Sequence, residues 1–168
     1  MSTLKDQVER IQRQQATGPN VFGSFDYESV LGGAKVQISY DAFVYFSDAL
    51  PQREIRCGEF RLLGHDSVVE ESVNLLPGCL VVGLGFIPIG ATSGGNIYVL
   101  DCESGKVFEI SHEKYNKASI SPGWKPDFSA FLPDVPITRE NVINTAEQVF
   151  DDVGQFLEFL AQQDELMP

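Results

Sequence analysis

The chain has 168 residues, 43% of them hydrophobic and with twelve Phe and five Tyr among them, enough to fill the core of one ordinary domain. Its 24 acidic residues against 12 basic ones leave a formal charge of −12, which opposes binding to nucleic-acid phosphates, because Lys and Arg make those contacts. The same surplus suits a basic protein partner, whose complementary field speeds encounter, and it equally suits plain solubility.

The opening stretch, MSTLKDQVERIQRQQ, is polar where a secretory leader needs an apolar core, so export by that route is not expected. Leu4, Val8 and Ile11 recur at helical spacing behind Ser2 or Thr3, which predicts a capped N-terminal helix. Residues 16–23 (ATGPNVFG) read as a break. Phe25, Val30 and Leu31 then fit a short helix stopped by Gly32 and Gly33. Ser39 is placed to cap another, carrying Tyr40, Phe43, Val44 and Phe46 up to Pro51, although the same residues also suit a strand. Between Glu54 and Leu63, apolar and charged residues alternate across Gly58, the pattern of a half-exposed strand with a bulge. From His65 to Leu76 a helix is expected, with Asp66 or Ser67 as cap, Glu70 and Glu71 on its wet face, and Pro77 as its stop.

The apolar run from Val73 to Thr92 has the length of a membrane span, but two prolines and four glycines punctuate it, so no span is expected. Leu80 to Val82 and Phe86 to Ile89 read as strand pieces. Asn96 to Asp101 and Lys106 to Ile110 read as a hairpin closed by Glu103, Ser104 and Gly105. Ile97 and Val99 face one way and Tyr98 and Leu100 the other, and since both faces are apolar the strand belongs at the centre of a sheet. Residues 118–137, with four prolines and the only Trp, read as an ordered loop pinned by Trp124, Phe128, Phe131 and Leu132. Val142, Ala146, Val149, Val153, Phe156 and Leu160 recur at helical spacing, with Phe150 and Leu157 widening the stripe, and predict one C-terminal helix that Gly154 could bend. From Glu140 onward there are seven acids and no Lys or Arg.

The candidate chemistry is sparse. The pair Gly83 and Gly85 lacks the third glycine of a dinucleotide fingerprint, because Pro88 stands in its place, and residues 90–96 lack the Gly-Lys-Ser/Thr ending of a phosphate loop. Gly94 and Gly95 are expected to turn the chain with positive φ. Cys57, Cys79 and Cys102 are odd in number and sit in apolar surroundings, which fits reduced thiols in a cytoplasmic protein. His65 and His112 are the only histidines and no ligand spacing surrounds them, so neither metal nor cofactor is expected. An enzyme would have to use His112 as base, Asp101 as its orienter and Ser93 or Ser111 as nucleophile, a set with no nucleophile-elbow motif behind it. Asp101, at the end of an apolar strand, reads instead as an acceptor for backbone N–H groups across the adjoining turn.

Phe86 to Gly90, then Gly94 and Gly95, Tyr98 to Asp101, Gly105, Val107, Phe108, and His112 with Glu113, run in order through the pattern F-I-P-I-G, Gly-Gly, Y-x-L-D and G-x-V-F-x-x-x-H-E. This stretch resembles the SUKH superfamily, the proteins related to the fungal Smi/Knr cell-wall regulator and to many bacterial immunity proteins. SYDAFVYF at Ser39 to Phe46 is similar to that family's early helix, and Phe150 to Leu160 to its closing one. The resemblance implies a single α+β domain with a central, mostly antiparallel sheet flanked by helices. It also implies a non-catalytic protein-binding domain, most often a cytoplasmic immunity protein that neutralises a toxin encoded nearby; a basic toxin domain as the partner fits the charge, and neither nucleic acid nor membrane is expected. A regulatory scaffold domain binding a host protein is the alternative. Glu70, Glu71, Glu147, Asp151 and Asp152 are the acids that the helix patterns leave wet, and they are the candidate partner surface.

Overall fold

In the computed structural model, which describes residues 3–13, 25–32, 34–75, 77–111 and 138–166, the N-terminal helix α1 (Leu4–Arg13) buries Val8 and Ile11. Thr3 and Asp6 cap it reciprocally, each side chain accepting the other's N–H at 3.1 Å. Helix α2 (Tyr27–Leu31) is capped by Asp26 and stops at Gly32. Ser39 caps α3 (Tyr40–Val44), as its position predicts, and the helix runs on into a π turn (Tyr45–Ala49) that closes on Leu50. Phe46 from that turn stacks on Tyr27 of α2 and meets Phe25, and Phe25 in turn packs edge-on against His65 at the start of α4 (His65–Val73).

Six strands form one antiparallel sheet in chain order: β1 (Ile55–Cys57), β2 (Phe60–Leu62), β3 (Phe86–Thr92), β4 (Ile97–Asp101), β5 (Val107–Ile110) and β6 (Gln148–Phe150). An α+β architecture with a sheet flanked by helices is therefore the fold, and β4 lies inside it with every residue buried.

Three sequence expectations give way here. Residues 54–63 are a tight hairpin, with Gly58 at φ 64 reversing the chain so that Cys57 pairs with Phe60. Alternation survives a two-residue reversal, which is why it reads as one bulged strand. Leu80 to Val82 are helical, lying in α5 (Gly78–Val81) and the 3₁₀ turn Val82–Leu84 that leads into β3. The expected C-terminal helix is helix, strand and helix: α6 (Arg139–Asn144), β6, then α7 (Val153–Leu166). Val149 and Phe150 fall on the helical repeat by coincidence, and their actual partners are Phe108 and Val107 across the sheet edge. Gly154 bends nothing, since it stands in the first turn of α7, where Gln7 of α1 donates to its carbonyl at 3.2 Å. The proline-rich loop 118–137 lies outside the described residues.

A bulge in β3 assigns the two faces of the sheet. Pro88 pairs with Val99 and Gly90 with Tyr98, so one extra residue, Ile89, reverses the facing of the rest of the strand. Pro88 therefore meets Gly78 of α5, while Gly90 faces α7, where a Cβ would come within 2.7 Å of the Phe156 ring. On the α7 face Tyr98 sits 5.0 Å from Phe156 and is ringed by Phe60, Phe150 and Phe159. The opposite face carries Val99, Phe86 and Phe108, the last two in edge contact at 6.1 Å. Gly95 has φ 97, whereas Gly94 is not among the positive-φ glycines, so only one of the pair turns the chain as expected.

Candidate partner-binding surface and the Asp101 clamp

Asp101 ends β4 with its side chain 1% exposed and fully engaged. Its Oδ1 accepts the Glu103 N–H at 3.1 Å and its Oδ2 accepts the Ser104 hydroxyl at 2.7 Å. This is the turn bonding that the sequence suggests. The main partner, however, is Arg139 at the start of α6, whose Nη2 donates to both carboxylate oxygens at 2.9 and 2.8 Å. Arg139 also donates from Nη1 to the Leu84 carbonyl at 2.8 Å, stands 3.3 Å from Glu103, and lies over the Phe86 ring at 4.8 Å. One guanidinium thus joins the turn before β3, the β4–β5 turn and the first residue of α6.

The clamp was hard to foresee because its two charges are 38 residues apart. Arg139 is the last cation in the chain, standing one residue before the acid-only tail, and that is the one signal that could have drawn attention to it.

Of the hydrolase set, the two candidate serines stand apart from Asp101. Ile97 pairs with Ile110 and Leu100 with Val107, so Ser111 and the β3–β4 turn carrying Ser93 lie at the end of the hairpin away from Asp101, roughly 13 Å along the strands. His112, its neighbour Glu113 and their family-pattern positions fall outside the described residues. Burial raises the Cys102 thiol to about 12, with Asp101 and Glu103 adding to the rise and Arg139 opposing it, and burial raises Cys79 as well. Cys57 and Cys102 are buried, Cys79 is half-buried, and all three are free thiols. Among the described residues, no group of three or more His, Cys, Asp and Glu is placed to hold a metal ion, and no single helix is long and apolar enough to cross a membrane.

The five acids expected to form a partner surface do not gather into one. Glu70 is exposed on α4 and accepts from Asn74 at 2.9 Å. Glu71 is a correction: it is buried, 3.5 Å from Arg61, because α4 lies over β3 and turns that residue toward the β1–β2 hairpin. Burial pushes its carboxyl above the ordinary carboxylate range, and Arg61 opposes part of the rise. Glu147, Asp151 and Asp152 bracket β6 at the sheet edge instead of lining a helix, and Asp152 is spent capping α7, accepting the Gln155 N–H at 2.8 Å.

What the sequence placed in a helix without marking as surface is the aromatic face of α3. Tyr40 is 79% exposed and Phe43 48%, while Ala42, Tyr45 and Phe46 of the same helix are buried. The neighbouring segment, residues 34–38, is neither helix nor strand and borders a groove of about 420 Å³ walled by Tyr27, Leu31, Val36 and Ile38 with Glu28 and Lys35. No family model, no curated protein and no solved structure matches the chain.

Proposed function

We propose that the chain is a non-catalytic protein-binding domain, and more narrowly an immunity protein of the SUKH kind that occupies and neutralises a basic toxin domain. The observation that carries the binding reading is the exposed aromatic pair of α3 on a chain of formal charge −12, a combination of anchor residues and field that favours a basic protein surface. The narrower reading is supported by the β3–β5 pattern, in which Gly90, Gly95, Gly105 and the Y-x-L-D strand have structural tasks in the sheet and its turns. Asp101 belongs to the same picture, as its carboxylate is committed to Arg139 and to the turn.

The test uses the protein encoded beside the gene, purified with its own active residues substituted. Tight binding, with a dissociation constant in the nanomolar range, together with protection of cells that express the active form, is the expected result. Failure of both removes the immunity reading.

A further inference from the structure

Tyr40 and Phe43 are three positions apart on α3 and so share one face of the helix. Monomeric proteins scatter single apolar residues over their surface, but an exposed Tyr and Phe side by side are the residue types that anchor interfaces. Their surroundings are acidic. Asp41 lies between them and Asp48 a turn and a half further on, and both are exposed. The β4–β5 turn with exposed Glu103 is fastened alongside, since the Ser39 N–H donates to the Cys102 carbonyl at 2.6 Å and a Cβ at Gly105 would lie 3.5 Å from Asp41. Asp26 and Glu28 of the α2 region add to these acids, while Lys35 and Lys106 are the cations of the same segments and Arg139 stands 3.3 Å from Glu103.

We propose that this face of α3 is the docking surface for a folded basic protein, with Tyr40 and Phe43 as the anchors and Asp41 and Asp48 as the acids that meet its Lys and Arg side chains. The proposal rests on the protein-binding reading above and adds the surface to it. An arginine laid over Tyr40 would gain a cation–π contact as well as its ion pair. Charge argues against the other occupants: a second copy would bring the same −12, and a phosphate backbone or an anionic membrane would be repelled. The acidic residues around β6 are the weaker place, because Asp152 already serves the α7 cap and no exposed aromatic stands among Glu147, Asp151 and Asp152.

The experiment measures affinity for the inactive protein encoded beside the gene in three variants: Tyr40→Ser with Phe43→Ser, Asp48→Lys, and, as an apolar control on α4, Val69→Ser with Val73→Ser. All the substituted side chains are exposed, and urea midpoints check that each variant folds. The aromatic pair is expected to cost at least about thirtyfold, Asp48→Lys about tenfold with a flatter salt dependence, and the control less than about threefold. Equal binding by the wild type and the aromatic variant overturns the surface and leaves the protein-binding reading standing. If the wild type does not bind that protein, amide chemical shifts are monitored on adding an oligo-arginine peptide. Perturbations gathered on α3 and the β4–β5 turn, and lost in the aromatic variant, uphold the surface without the toxin. Perturbations centred on residues 147–152, or none, overturn it.

Discussion

Replacing Arg139 by Met tests whether the clamp on Asp101 is a structural unit. Methionine keeps a long apolar stem over Phe86 and removes only the guanidinium, so the loss falls on polar terms. Asp101, 1% exposed in the native structure, would keep two donors, the Glu103 N–H and the Ser104 hydroxyl, but would lose the Arg139 guanidinium. Breaking a buried ion pair from one side typically costs about 3–5 kcal/mol, because the remaining charge is stranded. Arg139 is 30% exposed, which lets water replace part of its role and sets the expectation at the lower end, about 3 kcal/mol. The contact with Glu103 adds little, as an exposed pair contributes about 0–1 kcal/mol.

Asp101→Asn keeps one acceptor but turns an amide donor toward Arg139 or Ser104, and about 2 kcal/mol is expected. The double variant strands no charge, so it should be less destabilised than the sum, with a coupling of about 1–2 kcal/mol. Urea unfolding with linear extrapolation reads all four corners of the cycle. High salt should leave the coupling nearly unchanged, since buried pairs are poorly screened. Additivity within about 0.5 kcal/mol would refute the clamp, as would an Arg139→Met cost below about 1 kcal/mol.

Gly90→Ala should destabilise by about 1–3 kcal/mol, because its new methyl group meets the buried Phe156 ring at 2.7 Å, whereas Gly94→Ala, with no neighbour nearer than 3.8 Å, should change the urea midpoint little. Reversal of that order would contradict the packing of α7 on β3. Glu71→Gln tests the buried acid. A carboxyl raised in the folded state means that the fold binds more protons than the unfolded chain between the two pKa values, so stability falls as pH rises through that window. The variant should therefore be the more stable protein at about pH 8, and its advantage should fade toward about pH 4; equal pH profiles would disprove the desolvation account. In a thiol titration of the native protein, Cys57 and Cys102 should react only after denaturation and Cys79 slowly, and rapid labelling of Cys102 would show that its burial is wrong.

The β3–β5 core was legible in the sequence because its signals are local. A strand buried on both faces must be apolar at every position, and Ile97 to Leu100 are. Ser39 as the cap of α3 was equally visible, since its hydroxyl serves an N–H three residues away. The features that escaped depend on distant partners. Val149 and Phe150 form a strand because β5 offers an unpaired edge, and Glu71 is buried because α4 crosses β3 where Arg61 can reach it. The exposure of Tyr40 and Phe43 is of the same kind, since their residue types suit a core and only the packing of Tyr45 and Phe46 shows which side of the helix is inside.

If the proposed face of α3 docks a basic protein, charge and aromatic surface should divide the work of recognition. The net −12 acts at long range, so salt should slow association with a basic partner without much shortening the life of the complex. Tyr40 and Phe43 act only in contact, so their removal should appear almost wholly as faster dissociation. The clamp enters through charge, as it fastens Glu103 beside Arg139 at the turn against which α3 rests. Arg139→Met strips the cation from beside Glu103 and makes the chain one unit more negative, so it should raise the association rate with a basic partner, whereas Asp101→Asn, one unit less negative, should lower it.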